Sequence, residues 1–155
     1  ICASPHYIEQ FGKPRTPEEL LDHNCLTLYE VSQFNDWAFE DAEMGHRVLH
    51  VKGNFRANTA DALYEAALAG LGLARLSTWL VMPAIRRGEL VPVLPQYPHE
   101  SSAYFLLYPH RRHLSRKVRA FVDFLVEIFT PTPPWESEGL EFTEAEWQER
   151  IRGDR

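Results

Sequence analysis

The spacing of hydrophobic and polar positions along this chain changes several times, and each change predicts an element. Cys25 to Tyr29, "CLTLY", alternates and is rich in β-formers, so a strand is expected there. Trp37 to Glu40 and Arg47 to Val51 read as two further strands joined by a turn near Glu43-Met44-Gly45. From Asn58 the period lengthens. Leu63, Ala66, Ala67 and Gly70 fall on one face of a helix over 60–69, and their small size implies close packing against a sheet. "LGLARL" then reads as a buried strand, "LVPVL" as a short one, and "AYFLLY", Ala103 to Tyr108, as another buried strand. Val118, Phe121, Val122, Leu125 and Phe129 make the inward stripe of a strongly periodic helix that Ser115 caps.

The punctuation agrees with these periods. Ser4 before Pro5 opens a short helix, with Gly12 just past its end. Thr16-Pro17-Glu18-Glu19 repeats the device, with two acids in the first turn where the helix dipole favours them. Asn58-Thr59 precedes the small-residue helix and Gly70-Leu71-Gly72 follows it. Gly70 suits a left-handed cap and Gly72 a close backbone approach. Ser77 caps a further helix that ends near Gly88, with Arg86 and Arg87 in its last turn. Pro131 to Pro134 break the pattern, and Thr143-Glu144-Ala145-Glu146 then matches a capping box in a segment as compatible with disorder as with a short exposed helix.

Strands alternate with helices, so the fold class is α/β with an at least partly parallel sheet. Ligands of such sheets sit outside the carboxyl ends of the strands, often at helix N-termini. Asn58 and Thr59 stand where a strand gives way to a helix. Backbone N–H groups with an amide or a hydroxyl beside them would receive an anion there, and a plain N-cap uses the same residues equally well.

Composition narrows the class. The chain has 155 residues, 45% hydrophobic and 25% charged, which fits one ordinary globular domain. No apolar run approaches the length of a membrane span. No basic segment followed by an apolar one opens the chain, so no signal peptide is expected; the start at Ile1 rather than Met fits a fragment or a processed chain. Net charge is −6, and residues 131–155, with seven acids against three arginines, hold −4 of it. The near-neutral remainder lacks the basic face that a domain binding DNA by itself presents. Cys2 and Cys25, without a CxxC, read as buried free thiols in a reducing cytoplasm.

Little in the sequence carries catalytic chemistry. The seven histidines are scattered, no HExxH occurs, and His110 and His113 read as parts of a solvated loop, so no metal is expected. There is no GxSxG, P-loop or GxGxxG, hence no cofactor and no catalytic residue to name. Asp36, Glu40, Asp41 and Glu43 read as solvated turn residues. "HRRH" with Lys117 and Arg119 reads as surface decoration of a helix start.

Three segments in order carry a family likeness: "CASPHYIEQFGKPRTPEELLDHNCL", "NTADALYEAALAGLGLARLSTWLVMPAIRRGELVPVLP" and "YFLLYPHRRHLSRKVRAFVDFLVEIF". Over residues 1 to about 130 the chain resembles the C-terminal effector-binding (substrate-binding) region of LysR-type transcriptional regulators. The resemblance implies a periplasmic-binding-protein-like regulatory domain, made of the second subdomain (1–97) plus the returning strand and helix of the first (98–130). An acidic tail (131–155) lies outside the likeness. It also implies a small-molecule effector, often an organic acid, in the cleft between subdomains. DNA would be bound only through an N-terminal helix-turn-helix with no counterpart in this sequence. The protein would form a homodimer or homotetramer in the cytoplasm, without a membrane and without catalysis. Asn58 and Thr59 carry over as effector-facing residues, and Ser77 and Thr78 join them by analogy. A solute-binding module of the periplasmic receptor type shares this fold and cleft and is the alternative.

Overall fold

The first helix forms because three residues dictate its ends. Ser4 turns its hydroxyl onto the Tyr7 N–H, Pro5 sits inside the first turn, and Gly12 at φ 83° closes α1 (Pro5–Phe11). The computed structural model describes residues 1–29, 35–41, 45–97, 105–107, 115–129 and 131–133. These fall in two compact units, Ile1–Ser101 and Ser102–Arg155.

In the first unit, β1 (Cys2–Ala3), β2 (Cys25–Leu28), β5 (Arg56–Ala57), β6 (Leu73–Ala74) and β7 (Val91–Pro92) form one sheet in the order β5-β2-β6-β1-β7. β5, β2 and β6 run parallel, whereas β1 is antiparallel to both β6 and β7. The strands are shorter than the sequence pattern suggests: "LGLARL" supplies only Leu73–Ala74, and "LVPVL" only Val91–Pro92. α2 (Ala60–Leu68) packs along β1, β2, β5 and β6 through buried Leu63, Ala66 and Ala67. It ends as its glycine predicts. Gly70 takes φ 78°, and its N–H and that of Leu71 bond back to Ala67 and Ala66. α3 (Thr78–Arg86) stops in the same way at Gly88, φ 73°.

β3 (Asp36–Asp41) and β4 (Gly45–His50) pair as a separate antiparallel hairpin; the turn residues 42–44 lie outside the described residues. Alternation sends Trp37 and Phe39 inward, where they join Ala3, Tyr7, Leu20, Cys25, Val51, Leu73, Val93 and Leu94 in one core. Burying each such ring is worth about 2–3 kcal/mol. On the outward face His50 bonds Asp36 at 2.6 Å and His46 bonds Glu40 at 2.8 Å. Exposed pairs of this kind contribute at most about 1 kcal/mol each, so the aromatics and not the charges hold the hairpin down. Asp36 and Glu40 are thus paired cross-strand rather than simply solvated.

One polar knot ties the sheet's amino end. Asn24 N–H donates to Tyr7 Oη at 3.0 Å, and Tyr7 Oη lies 3.1 Å from His23 Nδ1. The Asn24 side chain donates to Asn54 Oδ1 and to the Leu71 carbonyl, and accepts from the Asn54 N–H at 2.8 Å. Two glycines make the approach to this segment possible. A Cβ at Gly53 would land on the Cys25 carbonyl oxygen, and one at Gly72 on the Asn24 carbonyl oxygen. Both cysteines are buried free thiols, and burial pushes the Cys25 thiol up to about 12.

Several expectations need correction. Thr16-Pro17-Glu18-Glu19 opens not an α-helix but a 3₁₀ turn, Glu18–Asp22, with Pro17 rather than Thr16 at the cap position; Glu18 pairs instead with Arg47 across the fold. In the second unit, Phe105 to Leu107 is irregular, with Leu107 88% exposed. A strand forms only against a ladder partner, and none of the described strands pairs with it. α4 (Arg116–Phe129) forms where Ser115 caps it at the Val118 N–H, but the stripe expected inward is not buried: Phe121 is 55% exposed, and only Val122 and Leu125 are half-buried. The "HRRH" loop, His99 and the capping box at Thr143 lie outside the described residues.

Two measurements test the knot. Gly72→Ala should destabilise by more than about 3 kcal/mol, because backbone must move. Gly88→Ala, which meets nothing within 4 Å and only the left-handed backbone penalty, should cost about 1–2 kcal/mol in the same denaturant titration. Burial holds His23 below its usual value, against the raising influence of Glu19 and Asp22. The unfolded chain therefore takes up that proton first, so this contribution is full above about pH 6.5 and falls away as the pH drops through and below that value. The melting temperature of the wild type should fall more between pH 7 and 5 than that of His23→Gln; equal slopes would remove His23 from the account.

Candidate functional site

Because β5, β2 and β6 run parallel, their carboxyl ends lie along one edge of the sheet, and the residues that follow each strand gather there. Tyr29 follows β2 and is 74% exposed; its N–H bonds the Ala57 carbonyl at 2.8 Å, beside the end of β5. Asn58 and Thr59 follow β5, both exposed. Thr59 is the N-cap of α2, φ −132° and ψ 149°, and its hydroxyl accepts from the Ala62 N–H at 3.3 Å. Asp61 adds an acid to that first turn. Ser77 and Thr78 follow β6. Ser77 occupies the cap position of α3 but makes no side-chain cap hydrogen bond, and Thr78 is the first helical residue.

The four residues singled out in the sequence therefore stand at the heads of two nine-residue helices. β5 and β6 flank β2, so these heads are separated by two strand spacings, about 10 Å. Each head offers backbone N–H groups and the positive end of a helix dipole. Such an edge can bind and orient an acceptor-rich small molecule. Among the described residues it brings together no nucleophile and base.

Sequence reasoning passed over Arg75, which directly follows β6. It is half-buried, its guanidinium carbon lies 5.9 Å from the centroid of the Trp37 ring, and its Nη1 donates to the Asp36 carbonyl at 3.5 Å. It also passed over Thr27 on β2. That residue is 2% exposed, and its hydroxyl has no hydrogen-bond partner among the described residues. The signal for Arg75 was one charge inside the apolar run "LGLARL"; nothing in the sequence marked Thr27. Among the described residues, no three His, Cys, Asp or Glu side chains come together as a metal site, and no helix is long and apolar enough to cross a membrane.

The sequence matches the family described as the LysR substrate binding domain over residues 1–130. The chain belongs to that family. Among its relatives, the HTH-type transcriptional regulator YhjC of Escherichia coli K12 is 35% identical over 128 residues, covering 82% of this chain and 43% of the relative. The HTH-type transcriptional regulator CrgA of Neisseria meningitidis serogroup C is 34% identical, covering 82% and 42%. Among solved structures, the regulatory domain of CrgA superposes with a TM-score of 0.61 at 31% identity, covering 81% of this chain and 61% of that one. Full-length AphB, a virulence activator of Vibrio cholerae, superposes with a TM-score of 0.66 at 26% identity, covering 81% and 43%. The α/β architecture is thus that of LysR regulatory domains, which share the periplasmic-binding-like fold. The chain spans about two fifths of the length of the curated relatives it matches.

The two helix heads differ in a way that can be measured. Thr59→Ala removes a working cap and should cost about 1 kcal/mol, whereas Ser77→Ala removes no cap bond and should stay within about 0.5 kcal/mol of wild type by denaturant titration.

Proposed function

We propose that this chain is the effector-sensing regulatory region of a LysR-type transcriptional regulator. The observation that carries the proposal is the family match over residues 1–130 in a chain whose relatives are named as regulators. The site supports it: the sheet's carboxyl edge bears two helix heads and polar side chains. On this reading the chain is not an enzyme. It binds a small organic acid at Asn58, Thr59, Ser77 and Thr78, in the cleft between the two subdomains of the complete regulatory region. Residues 1–97 form the second subdomain, 98–130 the returning segment of the first, and 131–155 an acidic tail.

DNA contact belongs to a helix-turn-helix domain outside this sequence, and the working protein is a cytoplasmic homodimer or homotetramer. Regulation needs no covalent step. An effector with greater affinity for one arrangement of the subdomains shifts the population toward it by that difference, about tenfold for each 1.4 kcal/mol.

A thermal-shift screen of this chain against small organic acids tests the reading. A ligand at about 100 times its Kd should add about 2.7 kcal/mol to stability. The shift should vanish in Asn58→Ala/Thr59→Ala. The same compound should also change the affinity of the full-length gene product for its own promoter region. A full-length protein that ignores both promoter and ligand would overturn the proposal.

A further inference from the structure

The Tyr7 hydroxyl has one hydrogen to place and little freedom in placing it. Tyr7 is 2% exposed, and its ring lies 4.8 Å from that of Phe11. Its oxygen accepts the Asn24 N–H at 3.0 Å. Among the described residues, the acceptor within reach of its O–H is His23 Nδ1, at 3.1 Å. Donation to Nδ1 leaves that nitrogen bare and fixes the neutral ring with its own hydrogen on Nε2. The imidazole is half-buried, its centroid 5.8 Å from that of the phenol ring.

A second proton can enter this ring only at Nδ1, the atom that already holds the Tyr7 hydrogen. Two hydrogens cannot lie between the same two atoms. Either the phenol loses its acceptor inside the core, or the ring leaves it. The phenol belongs to the core cluster, so the half-buried ring is the part free to move. Burial resists the charge on His23, and a hydrogen bond made to the neutral form resists it further. Glu19 and Asp22, on the 3₁₀ turn beside it, pull the other way and favour the charged ring. From α1 the ring meets the Tyr7 phenol, and from β2 the Cys25 thiol bears on that phenol while burial keeps the thiol neutral.

We propose that His23 is a proton-operated catch between α1 and the start of β2. Neutral, it holds the Tyr7 hydroxyl, which in turn holds the Asn24 N–H. Protonated at Nδ1, it releases the phenol, and α1 loosens from the segment at which the parallel pairings begin. The Asn24 carbonyl receives the Leu73 N–H at 2.9 Å, and its side chain receives the Asn54 N–H at 2.8 Å. Acid therefore acts first on this joint, as a local opening that precedes loss of the whole fold. The catch stands independently of the effector-sensing reading, because it involves none of the residues at the carboxyl edge.

The test combines nitrogen NMR with residue-resolved hydrogen exchange on the intact chain. At alkaline pH the His23 ring should carry its hydrogen on Nε2, with Nδ1 bare. After correction for intrinsic rates, the Asn24 amide should exchange about tenfold faster for each pH unit below about pH 6.5, until the closed form itself titrates. The Ile8 and Gly12 amides should follow it, while the Ala69 amide at the end of α2 lags behind. His23→Gln keeps a polar partner for the phenol but cannot titrate, and should abolish the acid response at Asn24. Tyr7→Phe should abolish it too, with Asn24 exchanging faster already at alkaline pH, and should free the imidazole to take either tautomer. A hydrogen on Nδ1 in the wild type overturns the proposal. So does an acid response at Asn24 that survives His23→Gln, or one that Ala69 shares in full. If Tyr7→Phe does not fold, the wild-type tautomer and the glutamine variant decide the matter.

Discussion

Everything in the first unit depends on how closely three chain segments can approach at Asn24-Cys25. The carbonyls of Asn24 and Cys25 sit where Gly72 and Gly53 pass, with no room for a side chain on either. Those approaches let Leu73 N–H reach the Asn24 carbonyl at 2.9 Å and Cys25 N–H the Lys52 carbonyl at 3.0 Å. These two bonds begin the parallel pairings on either side of β2. The Asn24 side chain then closes the remaining polar groups around itself. From this origin the register runs up β5, β2 and β6, so the amino end of the sheet decides which residues arrive together at the carboxyl end. Asn58, Arg75 and Ser77 are neighbours along one edge because Gly53 and Gly72 are neighbours at the other.

The hairpin does a related job at the other end of the same strands. Trp37 and Phe39 bury against the sheet, and Trp37 gives Arg75 a flat apolar rest. An arginine in an apolar run would otherwise extend into solvent with many rotamers. Held by an indole and a backbone carbonyl, it keeps fewer. The outward His–carboxylate pairs add little to this and lie on the opposite side of the hairpin from the core.

Much of this architecture was legible in the residues. Ser4, Pro5 and Gly12 bound α1, and Gly70 and Gly88 stop α2 and α3, because caps act locally and leave local signals. The family likeness was legible because it rests on long ordered segments. What escaped was whatever depends on a partner distant in sequence. The 3₁₀ turn at Glu18 lies where Glu18 meets Arg47 of the hairpin, a partner 29 positions away. Buried strand pairing at "AYFLLY" and a buried stripe on α4 were read from periodicity, which specifies a face but not what covers it. The site divided in the same way. Asn58, Thr59, Ser77 and Thr78 announce themselves as helix starts, while Arg75 gains its setting only from Trp37, 38 positions away along the chain.

The sheet order carries a consequence for how the chain comes to be folded. β1, among the first residues, lies between β6 and β7, so Cys2 must find Ala74, 72 residues on, and then Pro92. No short hairpin can nucleate that part of the sheet, and closing so long a loop draws on entropy before the contacts repay it. A ribosome delivering this sequence would release α1, the hairpin and α2 into solution before the strand that completes β1's second edge exists. Until Val91 and Pro92 emerge, β1 remains an open edge, and the growing chain is exposed to mispairing for that whole interval.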